Sequence, residues 1–123
     1  MHGISYWFIV TASIYAILGM VWGIQMSASE DHTLAPAHGH LNLIGWVSMM
    51  LYGFYYHLVS AAAKSLLAKV HFLTATASIL VLTPGIAMVL QGGSPLPAKI
   101  GSILILVSAL IFAFIVIRNR KAA

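Results

Sequence analysis

Four runs of apolar residues, each about as long as a helix must be to cross a bilayer, decide what this chain can become. They are Gly3–Met26, Ala37–Val59, Leu66–Leu90 and Ala98–Ile117. A span takes about 20 mostly apolar residues at roughly 1.5 Å of rise each. Lipid offers no partner to a bare backbone amide, so each run must close its own hydrogen bonds as a helix. The connections, 27–36, 60–65 and 91–97, are short, and the last contains Gly92-Gly93-Ser94-Pro95. Short connections make successive helices antiparallel neighbours. The expected fold is therefore all-α: one domain over residues 1–123, built as a four-transmembrane-helix up-down bundle. Composition agrees, because 61% of the 123 residues are apolar and 7% are charged, too little polar surface for a water-soluble domain. The first run lacks a basic start and is too long for the apolar core of a signal peptide, so it is expected to be a span.

Charge sets the orientation. Lys64, Lys69, Arg118, Arg120 and Lys121 share one side with the N-terminus, while the other side holds Lys99, Glu30 and Asp31. The positive-inside rule then puts both termini in the cytoplasm, in what is expected to be a bacterial inner membrane. The net charge of +4 is explained by lipid headgroups and does not point to nucleic acid. Tyr6, Trp7 and Trp22 suit the two interfaces of the first helix. Gly19 and Gly23 form a small-xxx-small pair, expected to allow close helix packing. Pro84-Gly85 is expected to kink the third helix. The fourth, with almost no polar group beyond Ser102 and Ser108, is expected to be an outer, lipid-facing member.

The chain has six histidines and no cysteine. Without cysteine there are no disulfides, thiolate metal sites or covalent haem attachment. His38 and His40, in Pro36-Ala37-His38-Gly39-His40, open the second run. Two residues along a helix turn a side chain by about 200°, so these imidazoles face opposite ways and cannot chelate one ion. The His38 face continues through Asn42, Gly45, Met49, Tyr52 and Tyr56; the His40 face continues through Ile44, Val47, Leu51, Phe54 and Leu58. Each histidine alone is compatible with a simple interfacial role. Two ligands on two apolar faces, with Gly39 and Gly45 offering a gap, favour haem over zinc or copper. His40 and His57 are separated by about 25 Å at helical rise, so His57 and His71 are expected to lie outside this site. Their expected role is interfacial anchoring or local hydrogen bonding, with proton entry or a second metal site as the alternative. His32 is expected in a solvated cap with Glu30 and Asp31.

Ala37-His38-Gly39-His40-Leu41-Asn42-Leu43-Ile44-Gly45-Trp46-Val47, followed by Gly53-Phe54-Tyr55-Tyr56-His57, resembles the tenth helix of subunit I of the C-family heme–copper oxidases. Lys69-Val70-His71-Phe72 is similar to the opening of that family's next helix. The likeness covers about half of the chain, in the second and third runs. It implies that His38 and His40 are haem ligands, serving haems on opposite faces. Asn42, Gly45, Trp46 and Met49 complete the implied haem-contacting set. The family's subunit is built as three arcs of helices around a pseudo-threefold axis, and this chain has the size of one arc. A homotrimer would restore that arrangement, with a bis-His haem b at each contact between His38 of one copy and His40 of the next.

The family's copper ligands and active-site tyrosine have no counterpart here, and no span holds Asp or Glu. Proton-pumping oxidase activity is therefore not expected. The expected function is electron transfer near the outer membrane face, with the redox partner unspecified. One alternative is a haem enzyme or sensor with a labile histidine, acting on oxygen, nitric oxide or peroxide. Another is a cofactor-free or copper-handling protein using Met49 and Met50, although Met49 lies about three turns deeper than His38.

Overall fold

The computed structural model describes residues 3–122, and nearly all of them are helical. Helix α1 covers Gly3–Ser29. The second helical run is continuous but not uniform: α2 (Ala35–His40) passes into a π-helical segment (Leu41–Ser48) and then α3 (Met49–Leu58). A single turn, α4 (Ser60–Ala63), leads to α5 (Leu66–Leu90), and α6 covers Leu96–Arg118. Helices α1, α5 and α6 are each long and apolar enough to cross a membrane. Their outward faces carry Ile14, Ile17, Val21, Leu73, Leu80, Ile103 and Leu110, all exposed. Helices apolar all round suit lipid on the outside and protein on the inside. Several hydroxyls on them pair with their own helix: Thr11, Ser13 and Ser102 donate to the carbonyls of Trp7, Ile9 and Ala98 one turn back.

Local chemistry sets the ends. Pro36 sits in the first turn of α2, where its missing amide costs nothing. The preceding turn is held by Asp31, which accepts from the hydroxyl (2.6 Å) and the amide (3.0 Å) of Thr33. Those two bonds hold its carboxyl below the usual carboxylate range, the hydroxyl contributing most. The Ser65 hydroxyl caps α5 by accepting from the Ala68 amide at 3.2 Å. Pro84 lies inside α5, which stays helical on both sides of it.

Successive helices pack antiparallel. Along α1 and the second run, Gly23 meets His38, Gly19 meets Asn42, Tyr15 meets Gly45, and Phe8 meets Gly53. Along α5 and α6, Gly85 meets the backbone of Ala98, and Gly101 meets that of Leu82. Helix α6 buries few side chains, chiefly Gly101, Ser108 and Ile115. The π segment has a geometric purpose in this packing. Ala37, Leu41, Gly45, Met49 and Gly53 are all buried at intervals of four. In an uninterrupted α-helix, four such steps would drift by about 160° around the axis. Wider π turns absorb that drift and keep the whole series against the neighbouring helices. The Ser48 hydroxyl follows the same wider spacing, donating to the Leu43 carbonyl five residues back at 3.0 Å.

The aromatic core lies at one end, where α1, α3, α5 and α6 converge on His71. Its ring centroid is 4.5 Å from Tyr52, 5.1 Å from Phe8, 5.3 Å from Phe112 and 5.8 Å from Tyr56. His71 is fully buried, and its Nδ1 pairs with the Tyr56 hydroxyl at 2.8 Å. Its Nε2 has no hydrogen-bond partner among the described residues. Tyr56→Phe therefore strips the imidazole of its one bond, and we expect a loss of about 1–3 kcal/mol. Combining Tyr56→Phe with His71→Phe should recover much of that loss, because no polar group is then stranded. Unfolding of both variants in mixed micelles checks this.

Candidate functional site

His38 and His40 lie within one turn of a short helix and have opposite surroundings. His38 turns inward. Its Nε2 is 2.9 Å from the Gly19 carbonyl oxygen and 3.0 Å from the Asn42 amide nitrogen. A neutral imidazole nitrogen either donates to the carbonyl or accepts from the amide, so the tautomer selects one of the two; in both cases Nε2 is engaged. The groove that admits the ring is made by the two glycines. A methyl group at Gly23 would stand 3.2 Å from His38 Nε2, and one at Gly19 would collide with the Asn42 amide oxygen. The small-xxx-small pair on α1 thus makes room for two polar side chains of the second run. Trp22 closes the pocket with an edge-on contact to the imidazole, 5.8 Å between centroids.

His40 turns outward and is exposed. Its Nδ1 lies 2.7 Å from the carbonyl oxygen of Pro36. A carbonyl only accepts, so Nδ1 carries the proton and donates. Nε2 is then left with its lone pair, directed away from the backbone. A backbone acceptor of this kind fixes the tautomer and the ring plane, as it does for histidine ligands at metals. Around His40, Pro36, Gly39, Leu43 and Ile44 line a shallow surface groove of about 380 Å³. A side chain at Gly39 would meet nothing within 4 Å, so the wall beside His40 is open and flat. Such a wall could take a planar apolar group beside the His40 imidazole.

The other candidate residues divide between the two faces. Gly45 is buried with the Tyr15 ring where a side chain would be, so the gap it leaves is already taken. Met49 is fully buried in the hydrophobic core. Asn42 is half-buried and serves His38. Trp46 is exposed on the outer surface together with Val47. Of the set that the resemblance implied, only His40 and Trp46 are therefore presented outward, while His38, Asn42, Gly45 and Met49 belong to the packed side. His32 is exposed in the turn before α2, and His57 is exposed at the end of α3. Among the described residues, no three His, Cys, Asp or Glu side chains come together as a metal site.

Comparison with protein-family models, curated proteins and solved structures found no match. The likeness to heme–copper oxidases therefore rests on the quoted residues of the second and third runs. Sequence reasoning missed the π segment that begins immediately after His40. Extended π turns are uncommon, and this one follows directly on the helix that carries both histidines.

Proposed function

We propose that this chain is an integral membrane protein that binds haem b through His40 and uses it for electron transfer. The observation that carries the reading is the orientation of His40: Nδ1–H tied to the Pro36 carbonyl, Nε2 free, and an apolar groove beside it. A haem so held supplies one-electron transfer. The chain's own part is to fix the ligand's tautomer, offer an apolar wall and keep the second imidazole on the far face of the same helix. The second run, 24 residues from Ala35 to Leu58, acts as the fourth span. Clustering of five Lys and Arg residues at one end supports cytoplasmic termini and a haem near the outer face of a bacterial inner membrane. The redox partner is a membrane quinol or a soluble donor reaching that face.

Opposed faces on α2 favour a homotrimer in which the second axial ligand is the neighbouring copy's His38. To hold a haem, that ring would have to leave the groove between Gly19 and Gly23 and give up its contacts to Gly19 and Asn42. His38 would thus be the more labile of the two ligands, and a haem held by His40 alone would be open to oxygen, nitric oxide or carbon monoxide. His38→Ala tests the assignment. We expect haem to be retained, the low-spin spectrum to become high-spin, and the reduced protein to bind carbon monoxide. Loss of all haem in this variant would make His38 the principal ligand instead, and an unchanged low-spin spectrum would remove it from the site. Particle mass in detergent together with haem per chain tests the trimer; a haem-loaded monomer would contradict it.

A further inference from the structure

At the end opposite His40, the starts of α1 and α5 and the turn that leads from α4 into α5 enclose a groove of about 580 Å³. Its apolar wall is Trp7, Phe72 and Leu73; its polar edge is Lys64 and Lys69. Both lysines are exposed, and no acidic side chain stands at this end. The two acidic side chains, Glu30 and Asp31, lie beyond the far end of α1, a helix of 27 residues and so roughly 40 Å long. Two uncompensated cations at the mouth of an apolar slot, beside an exposed indole at interfacial depth, describe a ligand with an anionic head and a hydrocarbon tail.

We propose that this groove binds one anionic phospholipid, its phosphate held by Lys64 and Lys69 and an acyl chain laid along Trp7, Phe72 and Leu73. A free phosphate would engage only the lysines and leave the slot empty, and a zwitterionic lipid would bring its own cation to them. The inference rests on the membrane part of the reading above and is independent of the haem. Each lysine at a membrane surface gives roughly a five-fold preference for an anionic headgroup, so the pair gives about thirty-fold.

The full-length protein in phosphatidylcholine bilayers, doped with equal fractions of brominated phosphatidylglycerol or brominated phosphatidylcholine, provides the test. The signal is the tryptophan quenching that disappears in Trp7→Phe. We expect the anionic lipid to quench Trp7 at a far lower mole fraction than the zwitterionic one. The preference should vanish in Lys64→Gln/Lys69→Gln and persist in Lys99→Gln, which alters a cation at the other end. Equal quenching by the two lipids, or a preference unchanged in the double variant, would overturn the site while leaving the membrane reading intact. Absence of quenching by either lipid would overturn both.

Discussion

His40→Ala is expected to empty the protein of haem while leaving its fold unchanged. The side chain is exposed, and its hydrogen bond is to Pro36 of its own helix, so its removal unpacks nothing. What it removes is the imidazole Nε2, whose lone pair is left open when Nδ1–H donates to Pro36. Losing even an outer-sphere partner of a metal ligand costs about 10–100-fold in affinity, and losing the ligand itself should exceed that. Purified from haem-replete cells, the variant should carry less than about a tenth of the parent's haem, with the same helical content and thermal midpoint. Full occupancy with an unshifted reduced spectrum would remove His40 from the site. The contrast with His38→Ala is informative, because the two residues are equivalent in the sequence pattern and differ only in which way the bundle turns them.

Gly101→Val should have the largest effect on the fold. A side-chain carbon at Gly101 would lie 2.6 Å from the α-carbon of Leu82 and 2.7 Å from its amide nitrogen and β-carbon. These are backbone atoms and the root of a side chain, so nothing can swing aside. On the facing helix, Gly85 has the same relation to Ala98, at 2.6 Å from its amide nitrogen. Helices α5 and α6 are therefore held together by backbone contact at two points, the close-packed mode on which lipid-embedded helices depend. Forcing them apart should cost about 3 kcal/mol, the upper end of overpacking penalties, and should free α6, which has few other buried residues. Cross-linking between α5 and α6, with the denaturant midpoint in micelles, reports both effects. A variant as stable as the parent would mean that the contact is looser than the geometry indicates.

Much of this architecture is legible in the residues because lipid imposes hard rules. Apolar length marked out helices that differ from α1, α5 and α6 by no more than three residues at any end. Pro36, expected just ahead of the second helix, instead occupies its first turn. The two-residue step from His38 to His40 told that the rings diverge, since angle depends only on spacing. It could not tell which ring the bundle would swallow; that choice belongs to Gly19 and Gly23, nineteen and fifteen positions away in the chain. The glycine pair announced a close approach but not that a histidine and an asparagine would fill it. The π segment was not legible, because its cause is the four-residue spacing of a buried series and not the residue types it contains. The position of His71 near a helix end points to an interfacial or local hydrogen-bonding role. The hydrogen bond to Tyr56 fits the second of these, but the complete burial depends on the way Phe8, Tyr52 and Phe112 fold over it.

The absorption spectrum of the purified protein, oxidised and then reduced with dithionite, tests the central claim most directly. An outward imidazole with its Nε2 free beside an apolar wall predicts a coloured preparation. The spectrum should show sharp low-spin b-type bands on reduction and one haem for each site between copies. A colourless, iron-free protein from haem-replete cells would contradict it.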